Sequence, residues 1–270
     1  MKILIVGKNS FVAVNIFKKL NNKLNLNIIS FNTAKKKNKD FFKRFQFIIN
    51  CSINKNYVVN KYNSRNDVDI FLAKKIQFLN CKYIFMSTRK VYKPKFNITE
   101  LSRTTPLDNY GRNKLITEKK LQQILTDRVL VIRVSNIIGL KMVNKRRVHN
   151  TFLDYFCKNI FNNKIIQHKN SYKDFLSIDQ FVDIVLLLIK KNASGVINVS
   201  LGRKVYLKNI VKWLNYYNTK SFNYISEDKG MNNDSFTLNN DKLKKIINYK
   251  ISISNLRRDC LKISKKIFIN

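Results

Sequence analysis

Acid is scarce in this chain. Its 270 residues hold 16 Asp and Glu against 53 Lys and Arg, a formal net charge of +37. Such a balance ordinarily points to nucleic acid or another polyanion as partner. The lysines are scattered along the whole chain, however, beside an excess of Asn, Ile, Phe and Tyr, so compositional drift competes with a built patch. Nucleic-acid binding, by a catalytically degenerate chain, is therefore the second reading here. Histidine is rarer still, and His149 and His168 alone give no basis for a histidine metal site. Cysteines 51, 81, 157 and 260 show no CxxC spacing and are too sparse for a disulfide framework, which suits a reducing cytosol. The longest apolar run, FVDIVLLLI (181–189), contains Asp183 and falls well short of the ~18 residues of a membrane span. MKILIVGKNS lacks the long apolar segment and cleavage site of a signal peptide. A soluble cytoplasmic protein is expected. With 44% hydrophobic residues the chain is not a disordered one.

What the sequence does have is alternation. KILIV (2–6) is an apolar strand ending in Gly7, and FVAVNIFKKLNNKL follows with helical spacing at Phe11, Val12, Ile16, Phe17 and Leu20. LNIISF (26–31), QFIIN (46–50), YIFM (83–86), VLVIRV (129–134) and GVINVS (195–200) read as further strands. Helices are predicted near 64–78, 109–124, 151–161, 178–190, 206–217, 240–247 and 253–266. The basic run KKKNK (35–39) reads as a short loop. Apolar runs alternating with helices imply βαβ units and a buried parallel sheet, hence an α/β fold.

A glycine-bearing turn between a first strand and first helix is where a dinucleotide pyrophosphate sits, because backbone N–H groups and the positive helix end favour anions there. In GKNSFVA only Gly7 of the usual G-x-x-G-x-x-G survives, with Ser10 and Ala13 in the other places. An ordinary strand–helix turn would look the same. Tyr-x-x-x-Lys occurs three times, at Tyr57/Lys61, Tyr110/Lys114 and Tyr216/Lys220. Composition alone gives about two such pairs, so spacing does not choose among them.

The surroundings of Tyr110 do. The strand YIFM runs into Ser87 and Thr88, followed in order by Tyr92, Glu100, Pro106, Tyr110, Lys114 and Glu118. This run, YIFMSTRKVY…E…PLDNYGRNKLITEKKL, resembles the extended short-chain dehydrogenase/reductase family of NAD-dependent sugar-nucleotide epimerases, dehydratases and reductases. IINCS (48–52) resembles the family's fourth-strand end above the cofactor, and RVSNIIG (133–139) its strand end near nicotinamide and substrate. KDFLSIDQFVDIV (173–185) resembles its R-D-[FY]-[IV]-H-V-D-D segment, and GVINVSLGRKVYLKNIVKWL (195–214) its N-V-x-x-G strand and the helix after it.

The resemblance implies a Rossmann-type doubly wound parallel sheet over 1–139, rejoined by 174–200. A small, mostly helical substrate region would occupy 140–173 and 201–270. It implies an enzyme in which Tyr110 is general acid or base while hydride moves to or from nicotinamide. Lys114, one turn on, would lower the tyrosine pKa and reach the ribose. Thr88 would hydrogen-bond the reacting oxygen, with Ser87 as fallback. The cofactor would lie against Gly7, Ser10, Phe11, Val12, Asn32, Cys51, Ser52, Val134, the family's structural asparagine, here Asn63, and Tyr110 and Lys114 themselves. Ser87, Arg89, Asn136, Arg147 and Lys173 would face a nucleotide-sugar substrate. Bland readings stay open: Thr88 as a turn residue, Asn63 as a simple cap, Lys114 and the Lys145–Arg147 group as solvated cations. A homodimer through 64–78 and 109–124 is the family's habit.

Three departures refine these expectations. No carboxylate ends the second strand, where FN (31–32) precedes lysines 35–37, so the cofactor is NADP or NAD with the lean toward NADP. Arg89-Lys90 replaces the Asp-Glu that follows the threonine in 4,6-dehydratases, leaving epimerisation or keto-sugar reduction. Lys173 and Ser177 replace the family's arginine and histidine.

Overall fold

The six apolar runs pair into one parallel sheet. The computed structural model describes residues 1–140, 152–161, 166–169, 172–219, 224–227 and 234–269. The chain runs β1 (Lys2–Val6), α1 (Phe11–Leu20), β2 (Asn25–Ile29), α2 (Phe31–Lys36), α3 (Lys39–Lys43), β3 (Phe47–Asn50), α4 (Lys55–Val59), α5 (Val68–Ile76), β4 (Lys82–Thr88), α6 (Asn109–Leu125) and β5 (Val129–Val134). It continues with β6 (Asn136–Ile138), α7 (Phe152–Phe161), β7 (Ile166–Lys169), β8 (Tyr172–Lys173), β9 (Phe175–Ser177), α8 (Ile178–Lys190) and β10 (Gly195–Val199). The remainder is β11 (Val205–Tyr206), α9 (Leu207–Leu214), β12 (Tyr224–Glu227), α10 (Asp241–Ile246) and α11 (Ile253–Phe268). The sheet order is β2-β1-β3-β4-β5-β10.

Both faces of this sheet are covered, which is why its strands read as unbroken apolar runs. Ile3 and Ile5 point to a layer containing Ala13 and Ile16 of α1 and Phe181, Val185 and Leu188 of α8. Leu4 and Val6, one residue out of phase, point to Ile70 and Ala73 of α5 and Leu121 and Leu125 of α6. The run FVDIVLLLI is thus core helix, and its Asp183 pairs with Lys19 of α1 at 2.7 Å. Among the described residues no helix is long and apolar enough to cross a membrane. A separate core joins α7, α9 and α11 through Phe156, Ile210, Leu214, Leu256 and Ile263.

One carboxylate ties the smaller region to the sheet. Asp174 is fully buried and accepts from the backbone N–H of Leu201 (2.9 Å), Gly202 (3.1 Å) and Leu238 (3.1 Å). Burial pushes its carboxyl up to about 7 against the pull of these donors.

Two expectations are corrected. KKKNK is not wholly a loop: Lys35 and Lys36 close helix α2, which Ser30 caps and whose Lys35 carbonyl accepts from Lys75 Nζ at 2.7 Å. The helix expected from 64 begins at Val68, with Asp67 as its cap.

Candidate active site

The chain turns one way from β1 to β2 and the other way to β3, and the crevice at such a switch is where open α/β sheets bind ligands. Gly7 stands there. Its φ is +110°, and a Cβ on it would lie 2.8 Å from Ser52 N and 3.0 Å from the Cys51 carbonyl carbon. Only glycine fits such a conformation and approach without strain. The Cys51–Ser52 corner is itself shaped by buried Asn50, whose Oδ1 accepts from Ser52 N (3.0 Å) and Ser52 Oγ (2.7 Å). Ser10 then opens α1 as its N-cap. Phe11 lies against Gly139, where a Cβ would meet the ring at 2.8 Å. These residues fit a dinucleotide: a backbone cradle too tight for a side chain, at the N-terminus of α1. Gly7→Ala should lower stability by roughly 1–3 kcal/mol and abolish NADH binding. Urea melts and fluorescence titration check this, and unchanged NADH affinity would remove the cradle from the site.

Thr88, Tyr110 and Lys114 come together at the same edge, because the parallel registers align the carboxyl ends of the strands. Asp108 caps α6, accepting from Gly111 N at 2.7 Å, and pairs with Lys90 at 2.7 Å. Gly111 lets the helix press on the Lys90 carbonyl, which would stand 2.2 Å from a Cβ there. That approach brings half-buried Tyr110 into a hydrogen bond with Thr88. The two rival tyrosines have other surroundings. Tyr57 is buried with its hydroxyl 2.6 Å from Thr117 Oγ1, and Tyr216 is exposed on the smaller region.

The electrostatics differ from expectation. Lys114 is only 4% exposed, and its ammonium lies 3.9 Å from Asp69 Oδ2 and 4.4 Å from the centroid of Phe85. Burial lowers its pKa, while Asp69, Asp67 and Glu118 oppose the change. The Tyr110 phenol is pushed up and not down. Burial is the main cause, Asp69 and Asp108 add to it, and the Thr88 hydrogen bond pulls the other way.

The remaining expected residues scatter. Ser87 is 2% exposed and donates to Glu118, so it is held in the interior and is no fallback for Thr88. Asn63 is exposed and caps only the 3-10 turn before α5; buried Asp67 holds the helix start, accepting from Asp69 N and Ile70 N at 3.1 Å. Asn32 is exposed on α2, because β2 already ends at Ile29. Lys36 and Lys37 line a surface recess of about 550 Å³ with Arg44. Val12 is partly buried against the core, and Val134 pairs with Thr88 in the sheet. Asn136 N donates to the Asp174 carbonyl at 3.2 Å. Arg89 stacks on Phe236 at 4.2 Å and Lys173 pairs with Asp234 at 2.6 Å, so the two flank one segment. Arg147 lies outside the described residues.

Sequence reasoning missed the polar network beneath the site. Asn50 Nδ2 and Tyr83 OH both donate to Asp69 Oδ1 at 2.7 Å, and Thr117 Oγ1 donates to Asp67 Oδ2 at 2.6 Å. Beside it, Arg133 donates through Nη2 to Glu118 Oε2 and through Nη1 to Tyr92 OH, both at 2.6 Å.

A Rossmann-type parallel sheet with Thr88, Tyr110 and Lys114 brought together at one edge defines the class, and comparison with known proteins gives the family. The model of the NAD dependent epimerase/dehydratase family matches residues 3–200, and the chain belongs to that family. Solved structures superpose over nearly its full length. A UDP-N-acetylglucosamine 4-epimerase from Methanobrevibacter ruminantium has a TM-score of 0.80 at 15% identity, covering 98% of this chain and 97% of that one. A UDP-glucose 4-epimerase from Thermotoga maritima has a TM-score of 0.77 at 18% identity, covering 99% and 98%. TunA, an NAD dependent NDP-hexosamine 5,6-dehydratase of tunicamycin biosynthesis, has a TM-score of 0.76 at 14% identity, covering 98% of each chain. At these identities the likeness is one of fold. No curated protein sequence matches.

Proposed function

We propose that this chain is a nicotinamide-dependent sugar-nucleotide 4-epimerase or keto-sugar reductase. The observation that carries the reading is Tyr110 hydrogen-bonded to Thr88, one helical turn from buried Lys114, at the sheet edge that also presents Gly7. Gly7, Ser10 and Phe11 would hold the pyrophosphate, with Cys51 and Ser52 as the wall of the crevice. The bound nicotinamide would supply or accept hydride. Tyr110 would pass its proton to, or take one from, a sugar oxygen, and Thr88 would donate a hydrogen bond to that oxygen as charge develops. Lys114 would keep a positive charge near both.

Elimination of water is disfavoured. Arg89 and Lys90, one stacked on Phe236 and the other paired with Asp108, fill the two positions after Thr88, so those positions supply no acid or base of their own. Arg89 and Lys173, on either side of Asp234, offer cations to a substrate diphosphate. A homodimer through 64–78 and 109–124 would meet a mixed surface there, with Phe78 exposed beside Lys74, Arg112, Lys119 and Gln122.

Titration of protein fluorescence with NADH and NADPH, at moderate salt to screen nonspecific attraction, tests the reading. Saturable binding is expected, followed by turnover of UDP-sugars. With Ser30 at the end of β2 and no acid beside it, a 2′-phosphate meets no repulsion. Replacing Lys35, Lys36 and Lys37 by Gln should weaken NADPH about tenfold relative to NADH, one lost charge contact being worth roughly 1–2 kcal/mol. An unchanged ratio would sink the NADP preference. No binding of either nucleotide, with salt-sensitive retention of RNA instead, would favour the polyanion-binding alternative.

A further inference from the structure

Asp69 has no task in the reaction described above, yet it is the best-held group beneath it. Its Oδ1 accepts from Asn50 Nδ2 and Tyr83 OH, each at 2.7 Å, which fixes the plane of the carboxylate and leaves Oδ2 facing Lys114 at 3.9 Å. Lys114 Nζ is also 6.0 Å from the Tyr110 ring centroid, so the ammonium lies within reach of both the acid and the phenol ring. We infer that Asp69 is a positioning residue for the Tyr110–Lys114 pair: its carboxylate anchors the ammonium and sets a buried negative charge beside the phenol. The inference rests on the proposed role of Tyr110 and deepens it. A phenol next to a fixed anion stays neutral, and a neutral phenol is a proton donor, the form that reduction of a keto-sugar requires.

The groups facing this pair come from every element packed around it: Asp67 capping α5, Tyr57 of α4, Tyr83 of β4, Cys51 after β3, Lys90 in the turn after β4 with Nζ 5.9 Å from the Tyr110 ring centroid, Asp108 capping α6 and Glu118 within it. Asp67 is bound separately, accepting from Tyr62 OH (3.0 Å) and Thr117 Oγ1 (2.6 Å). Burial and Asp67 raise the Asp69 carboxyl, and Lys114, Asn50 and Tyr83 hold it down. Loss of the Asp69 charge acts on both partners in the same sense: phenol and ammonium each give up a proton at lower pH.

The test reads the phenol alone, without substrate. Tyr110 is replaced site-specifically by 3,5-difluorotyrosine, whose phenol is more acidic than that of tyrosine, and its ionisation is followed by fluorine NMR against pH. In Asp69→Asn, which keeps an Oδ1 acceptor for Asn50 and Tyr83, the midpoint should move to lower pH, and in Asp69→Glu it should return toward the parent value. A midpoint that stays or rises in Asp69→Asn overturns the inference. Circular dichroism confirms the fold, and Asp69→Ser, which removes the same charge, takes its place if the Asn variant does not fold. Because no turnover is measured, a negative result here leaves the catalytic role of Tyr110 standing, and an inactive chain could still show the shift.

Discussion

Tyr110→Phe should lower turnover about 10³-fold while leaving NADH affinity within about threefold of the parent. The substitution removes one oxygen, the one that Thr88 hydrogen-bonds, and general acid–base catalysis by one group is worth about 10²–10⁴. The cradle at Gly7, Ser10 and Phe11 belongs to the β1–α1 turn and Tyr110 to α6, so cofactor binding should survive. Single-turnover hydride transfer, followed by nicotinamide absorbance, separates the chemical step from product release. A variant that turns over within a few-fold of the parent would take the acid–base role away from Tyr110. A variant that loses NADH as well would show that the phenol also shapes the nicotinamide pocket.

The second large effect is on stability. Arg133 and Glu118 are a buried ion pair with the remaining donors of Arg133 on Tyr92 OH and the Glu100 carbonyl. Breaking such a pair from one side typically costs about 3–5 kcal/mol, because the other charge stays buried and unmatched. Arg133→Met should accordingly show a sharply lowered urea midpoint. Arg133→Met combined with Glu118→Leu removes both charges and should recover most of that loss. A single variant as stable as the parent would mean that water reaches Glu118 and the pair is not buried in solution.

How far the sequence could be read depended on whether the signal was local. Strands such as KILIV and YIFM, and helices such as 178–190, follow from apolar spacing within a dozen residues, and each is found within a few residues of its expected bounds. The order Thr88, Tyr110, Lys114 was legible because α6 packs directly on β4. The start of α5 was hard to place for a local reason: YNSRND offers several side chains able to cap a helix, and only burial singles out Asp67, with Asn63 capping the turn before it. Helix α2 escaped because its brace, Lys75, lies 40 residues away. The contacts of Asp69 with Asn50 and Lys114 escaped likewise, since nothing in their spacing announces that one strand and two helices bring them together. Ser87 beside Thr88 was an ambiguity of strand phase, settled by which of the two faces Glu118.

The placement of the few acids has a consequence for the molecule in solution. Among the described residues the acids Asp67, Asp69, Glu118, Asp174 and Asp259 are buried, whereas of the basic side chains only Lys114 and Arg133 are. Burial therefore removes more negative than positive side chains from the described surface. Two copies approaching each other meet repulsion over most of their surface, and a diphosphate-bearing sugar meets attraction from every direction. Encounter with an anionic ligand would then be fast and unselective in direction, leaving discrimination between ligands to the few contacts made after arrival.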